Sequence, residues 1–447
     1  YYDAETGLVS FINFRYMNDK KQSGEVDFDP DRDRGATNRW GSEINTQRLD
    51  LATKVGYVFK DMPFQSIGFQ NAFTLHDQNS YYGLNVYDIK QSSFYSNLIF
   101  NSIINNTKHK FATGINFAYD NYNEFVGLTD YGRVDNSVGT FFEYTYDNDD
   151  NFSLVLGGRV DNHNRLGTFV TPRLHLRYNP WEKSVLRFSA GRGKRAANIF
   201  AENQSLFASS RTFSILDTDG KIYGLNPEIA WNYGLSFNQK FQLFGRNGDA
   251  GFDLYRTDFQ NQAVVDVMQS PQQVLFYNLK GKSYATSLQI EFNYELANRF
   301  SLRSAYKYYD IQTQYLSGVY QRPLQAKHRF FGNLEYETGR SESGSQWRFD
   351  ATYNWLGKQQ LPVTASNPAQ DRLPEFSPSY NLINAQVTHV FSSNFEIYVG
   401  GENIGNYKQS KAILGAETPF GPTFDASIVY APIFGQMYYA GLRFKIK

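Results

Sequence analysis

The chain ends on a segment with two faces. From Tyr438 onward, apolar side chains take every second position: Tyr438, Ala440, Leu442, Phe444 and Ile446. Tyr439, Gly441, Arg443, Lys445 and Lys447 stand between them. Successive side chains of an extended chain point to opposite sides. The pattern therefore predicts a strand with one greasy face and one polar face. The same design recurs upstream. Over 284–294, Tyr284, Thr286, Leu288, Ile290, Phe292 and Tyr294 oppose Ala285, Ser287, Gln289, Glu291 and Asn293. Over 170–178, Val170, Leu174, Leu176 and Tyr178 oppose Thr171, Arg173, His175 and Arg177, with Pro172 near the start. Over 395–403, Phe395, Ile397 and Val399 oppose Glu396, Tyr398 and Glu402.

Strand-like segments of about ten residues are separated by connectors of two kinds, which themselves alternate. Short, turn-like connectors fall at 60–64, 105–108, 147–151, 179–183, 244–249, 297–300, 339–345 and 392–394. Long, polar connectors fall at 17–46, 77–90, 121–135, 193–227, 258–282, 312–325, 356–379 and 404–435, with 161–168 a modest member of that class. Charged residues alternating with Leu and Phe suit a sheet with hydrocarbon on one face and a wet or protein-filled interior on the other. The reading is all-β: a transmembrane antiparallel β-barrel of about 18 strands, with Tyr1 and the C-terminus both on the short-turn side.

Composition agrees. Aromatic residues make up 17% of the chain, with 38 Phe and 33 Tyr, while mean hydropathy is only −0.53. Strands that are apolar on one side combine these two properties, and no run approaches the roughly 18 apolar residues of a spanning helix. Lys plus Arg and Asp plus Glu both number 44, which gives no support to a nucleic-acid partner. With no Cys, disulfides and thiolate metal sites are excluded.

Several segments resemble the barrel of TonB-dependent outer-membrane receptors, from about Thr6 to the end. They are TPRLHLRYNP at 171–180, LRFSAGRG at 186–193, LNPEIAWNYGLSF at 225–237, YRTDFQNQ at 255–262, RPLQAKHRF at 322–330 and NIGNY at 403–407. GLVSF and RYMND near the start look most like receptors of the Bacteroidetes. Tyr439, Gly441, Phe444 and Ile446 fit the C-terminal signal read by barrel-assembly machinery. The family barrel has about 22 strands around a plug. The resemblance therefore implies that 1–447 is the C-terminal portion of such a barrel, with the plug domain and first strands not in this chain. It implies a bacterial outer-membrane location, long loops extracellular and the C-terminus periplasmic. The implied function is import of a scarce solute, a metal chelate such as an iron siderophore or similar cargo, and no enzymatic activity. The implied partners are outer-membrane lipid, the protein's own plug, a TonB-type energy-coupling protein, the assembly machinery and a small-molecule cargo. Two rivals stand beside it. One is a passive porin-like channel, in which the strand at 8–16 would pair with 438–446 to close the ring. The other is a structural or export-complex barrel.

No catalytic constellation or cofactor site stands out. His76, His109, His163, His175, His328 and His389 are scattered and read as solvated or hydrogen-bonded. GRGKR at 191–195 lacks the spacing of a phosphate loop, and DPDRDRG at 29–35 lacks the closing Glu of a calcium loop. The basic residues Arg187, Arg192, Lys194 and Arg195 lead into a long connector, where Arg192 and Arg195 suit an anionic ligand. Loop aromatics Trp40, Tyr81, Tyr82, Tyr223, Tyr315, Tyr320 and Phe420, with Phe376 and Phe424, suit a planar or hydrophobic one; packing among the loops is their alternative use. Arg173, His175, Arg177, Arg187, Glu291, Arg303, Lys307, Glu335 and Glu396 are expected to face the lumen and contact the plug, since charges inside a barrel need partners.

Overall fold

The computed structural model describes residue 3 and residues 5–446. Its main element is one antiparallel sheet of 20 strands. Two of them, Thr129–Asp130 and Gly318–Gln321, are short hairpin pieces inside connectors. The other eighteen form the wall: β1 (Leu8–Gly24), β2 (Gly41–Val58), β3 (Ser66–Tyr82), β4 (Asn85–Ile104), β5 (Asn106–Val126), β6 (Arg133–Asp147), β7 (Phe152–His163), β8 (Gly167–Tyr178), β9 (Ser184–Arg195), β10 (Glu228–Leu243), β11 (Arg246–Asn261), β12 (Ser283–Ala297), β13 (Phe300–Tyr315), β14 (His328–Glu337), β15 (Gln346–Leu356), β16 (Tyr380–Val390), β17 (Phe395–Glu402) and β18 (Met437–Phe444). Each pairs with its sequence neighbours, the up-and-down order that short turns dictate.

The register carries the alternation from strand to strand. Phe252, Ile290, Tyr306, Phe330 and Trp355 are successive partners across β11–β15. Val387, Val399 and Ala440 continue the apolar row on β16–β18. This face meets no second layer of protein: Ile290 is 47% exposed, Phe292 38%, Leu442 67% and Phe444 64%. So large a continuous apolar surface is stable only against hydrocarbon. Near the short turns it ends in an aromatic patch, with the His389 ring 4.3 Å from Trp347 and 4.2 Å from Phe391, as expected of residues at a membrane interface.

Three connectors expected to be long are shorter than the sequence suggests. The stretches 77–90 and 121–135 are largely strand, and strands take 17–24 and 41–46 from the stretch 17–46, because β1–β5 run to between 17 and 21 residues. The β3–β4 connection shrinks to Gly83 and Leu84, with Gly83 at φ +61°, a left-handed conformation that suits glycine. Above the apolar belt neither face of these hairpins meets hydrocarbon, and polar residues occupy both while parts of them pack under the connectors, so alternation vanishes while backbone pairing continues.

The sheet is curled. Trp40 lies just before β2 and Phe424 lies between β17 and β18, yet their ring centroids are 5.0 Å apart. On a flat sheet their strands would be roughly 75 Å apart at the usual interstrand spacing. Among the described residues β1 pairs only with β2 and β18 only with β17, so the two edge strands do not close the ring on each other.

The main apolar core lies outside the wall, among the long connectors. Thr212–Ile215, Ala263–Asp266 and Gln273–Asn278 form a separate three-stranded sheet. Around it Phe200, Phe207, Phe276, Tyr277, Val264 and Val274 are buried together with Tyr82 and Tyr87 from the wall hairpins. A second cluster joins Leu361, Leu414 and Ile428.

Candidate functional site

The lumen wall follows from strand parity. Arg173, His175, Arg177, Arg187, Glu291, Arg303, Lys307, Glu335 and Glu396 all occupy the face opposite the apolar rows. Several of them pair along the wall. Arg173 on β8 reaches over Gly157 of β7 to Glu143 of β6, a route open because a Cβ at Gly157 would lie 2.8 Å from the Arg173 Nε. Arg303 meets Glu335 at 3.2 Å. Glu396 accepts from Arg443 and has Arg348 at 3.8 Å. Gln289 donates to Glu291, and the Lys307 ammonium stands 5.4 Å from the Tyr309 ring centroid. Among the described residues Arg177 bonds only Asn179, at 3.3 Å. Among the described residues His175 and Arg187 have no charged partner. On β14–β18 the wall holds a recess of about 510 Å³ lined by Glu335, Arg348, Asp350, Glu396, Glu402 and Arg443.

Opposite the short turns, the connectors converge over the mouth. Asn85 at the start of β4 donates to the carbonyls of Phe207 and Ser209, both at 2.8 Å. Arg211 meets Asp425 at 2.8 Å, with side chains 1% and 5% exposed. The Leu316 amide donates to the Tyr277 hydroxyl at 3.1 Å, and Gln272 bonds Asn367 at 2.8 Å. Connectors from widely separated strands are thereby tied into one cap.

A buried ionic knot, not anticipated from the sequence, fastens this cap to the wall. Arg133 on β6 contacts Glu124 at 3.0 Å and Asp135 at 3.1 Å. It donates to the Tyr223 hydroxyl at 2.8 Å and to Asn198, and lies 3.9 Å over the Tyr122 ring. Tyr87 donates to Glu124 Oε1 at 3.0 Å, and the Tyr223 hydroxyl donates to Glu124 Oε2. Burial, then the Glu124 carboxylate, pushes the Tyr223 phenol well above its usual range. The signal was present: Glu124, Arg133 and Asp135 stand on one face of a single hairpin, within a stretch read as polar loop.

The loop aromatics are placed as follows. Trp40 packs on Phe424 and covers the Gly83 turn, where a Cβ would lie 2.5 Å from its indole nitrogen. Tyr81 is buried beneath Arg34. Tyr82 stacks on Phe207 at 6.0 Å. Tyr223 sits between Tyr131 and Phe200. Tyr315 is buried and contacts Tyr320 at 6.2 Å. Phe420 is half-buried in the last long connector. Most of these rings hold the cap together. In the segment 29–35, Asp29 caps a one-turn helix, Pro30–Asp33, and Asp33 bonds Arg32 at 2.7 Å, so these carboxylates serve the turn.

The basic cluster is divided. Arg187 and Arg195 stand on the lumen face, where Arg195 bonds Glu228 at 2.7 Å and Glu202 at 2.8 Å. Arg192 and Lys194 stand on the outward face with Phe188 and Ala190. They do not combine with Arg187 and Arg195 into one patch, because alternate residues of a strand part company.

With this architecture in view, a family model described as "TonB dependent receptor-like, beta-barrel" matches residues 2–404. The chain belongs to that family. This receptor barrel is accordingly a bacterial outer-membrane protein of the import class and not an enzyme. No curated protein sequence matches it. Among solved structures it is similar to the siderophore receptor PiuA from Acinetobacter baumannii, with TM-score 0.64 and 13% identity over 98% of this chain and 72% of that one. It is also similar to the ferric enterobactin receptor PfeA from Pseudomonas aeruginosa, with TM-score 0.59 and 11% identity over 91% and 69%. A third is the ferric-catecholate import receptor Fiu from K12 E. coli, with TM-score 0.59 and 12% identity over 90% and 64%. At these identities the likeness is one of fold. The receptor barrel spans roughly two thirds of the length of these three chains.

Proposed function

We propose that this chain supplies the wall and mouth of an energised importer, taking up a scarce solute such as a ferric siderophore. In this reading residues 1–447 are the C-terminal portion of the barrel. A plug and about four further strands, carried elsewhere in the protein, complete it. The long connectors face outward and the C-terminus faces the periplasm. Trp40, Tyr320 and Phe420, which keep partial exposure, and Arg195 form the capture rim. The lumen charges Arg173, His175, Arg177, Arg187, Glu291, Arg303, Lys307, Glu335 and Glu396 hold the plug, His175 and Arg187 being the most available. Tyr439, Gly441, Phe444 and Ile446 present the terminal strand to the assembly machinery. A TonB-type protein of the inner membrane supplies the energy.

The observation that carries this reading over a plugless pore is the seam. A self-contained eighteen-stranded channel needs β1 hydrogen-bonded to β18, and that pairing is absent among the described residues. The test is uptake of radiolabelled ferric siderophores by iron-starved cells expressing the full receptor, with and without the coupling protein. Uptake that stops without the coupling protein is expected. Uptake that continues down a gradient without it means a passive channel and sinks the reading.

A further inference from the structure

We propose that the wall has a lateral port between β8 and β9, through which the hydrocarbon tail of an amphiphilic cargo passes between lumen and bilayer. The proposal rests on the importer reading above and names its class of cargo. The observation behind it is a ladder cut short. β7 pairs with β8 from Phe152–Tyr178 to His163–Gly167, and β9 with β10 from Ser184–Gln239 to Arg195–Glu228. Among the described residues, β8 and β9 pair only from Tyr178–Leu186 to Arg173–Gly191. Beyond that point residues 167–172 and 192–195 are paired on one side alone. Pro172 stands where the strands part, and it has no N–H to give a ladder. The top of β9 is held to β10 instead, by Arg195 on Glu228 at 2.7 Å. The parting lies within the apolar belt, since Val170 ends the outward row Ile115, Thr140, Val160 and all four are exposed. Unpaired backbone at that depth is tolerated only where it is covered by protein or lines an opening.

Two side chains of β9 stand in for the missing amides. Arg192 Nη1 donates to the Val170 carbonyl at 3.3 Å, and Lys194 Nζ to the Leu166 carbonyl at 2.9 Å. These bonds are latches, because a long side chain regains rotamer freedom when it lets go. Neither mouth of the slot is blocked. A Cβ added at Gly193, on the lumen face, would meet nothing within 4 Å, and the same holds at Gly158 on the outward face. Outside, a groove of about 650 Å³ runs across β6–β10 between Phe142 and Trp231, floored by Gly158, Pro172 and Ala190. Trp231 is the register partner of Arg192, so the groove ends at the latch. A wholly polar solute gains nothing from this groove, and a wholly apolar one gains nothing from the charged lumen. A molecule with a polar head and a hydrocarbon tail matches both, its head among the lumen charges and its tail in van der Waals contact outside.

Photolabelling of the full receptor in phosphatidylcholine vesicles tests this. The probe is stearate with a diazirine at its chain end, and peptide mass spectrometry locates the adducts. They are expected on Thr171 and Gly193, at the lumen lip of the slot, as well as on Pro172 and Ala190 in the groove. Gly193→Phe should abolish the lumen-side adducts and spare those in the groove. A disulfide joining Thr171→Cys to Gly193→Cys should do the same until it is reduced. Arg192→Met with Lys194→Met should raise the lumen-side adducts, by about fivefold for each latch lost. Adducts confined to outward residues, or lumen-side adducts that survive both Gly193→Phe and the disulfide, mean a closed wall and overturn the port. Heat-modifiable gel migration reports that each variant is folded. The labelling needs no coupling protein, so the two readings fail separately: energised uptake with a closed wall sinks the port alone, and an open slot with uncoupled uptake sinks the importer reading alone.

Discussion

Arg133 illustrates how single residues decide the mouth of this barrel. Its guanidinium is 5% exposed and faces the fully buried Glu124, so removing it strands a carboxylate in a dry site. Losing one partner of such a pair costs about 3–5 kcal/mol. Arg133→Met is therefore expected to release the 196–227 connector, with proteases cutting it much faster while the wall stays intact. Unchanged cleavage would show that the knot does not hold the cap. Tyr223 adds a pH signature. Its phenol is raised above the usual range of about 10, so its contribution is fully present below that pH and is lost as pH rises toward the folded-state value. Cap opening followed by proteolysis should begin above about pH 10, and Tyr223→Phe should blunt the response. The ties between wall and cap were hard to read in the sequence because their partners are far apart: Arg133 and Tyr223 are separated by 90 positions, and Arg211 and Asp425 by 214. The division of Arg187, Arg192, Lys194 and Arg195 was legible, since odd and even positions of one strand cannot share a face.

At the scale of strands, alternation located the wall wherever one face meets hydrocarbon and the other does not. It failed where β1–β5 rise clear of the belt, because polarity then marks both faces and strand looks like loop. Glycines do particular work in this wall. On β17–β18 the Tyr398 ring lies over Gly441 and the Tyr439 ring over Gly400, with added Cβ positions 2.4 and 2.5 Å from the respective rings. Each aromatic covers the backbone its partner leaves bare. Gly441→Val should displace Tyr398 and lower stability by about 1–3 kcal/mol, read as an earlier urea midpoint for loss of heat-modifiable migration. Gly157→Val should likewise block the Arg173–Glu143 bridge. A midpoint unmoved by either change would mean that the rings and the bridge are incidental.

The whole molecule is two structures joined end to end. The wall turns its apolar side outward, while the cap buries its own around Phe200, Phe207 and Phe276. Their stabilities should respond to different agents. Urea in mild detergent is expected to open the cap first, giving a tyrosine-fluorescence transition before the gel-mobility transition of the wall. A single coincident transition would mean that cap and wall form one cooperative unit. The general plan was visible in the sequence because strand period and connector length are local properties. The cap was not, since its core draws on residues from Tyr82 to Tyr315.

The reach of Trp40 to Phe424 has a consequence for movement. The first and last long connectors are buttoned across the seam by one pair of rings, between the two strands that do not hold hands with each other. Any expansion of the cylinder must part those rings first. A clasp at the place of least backbone support makes this edge the natural hinge of the vestibule.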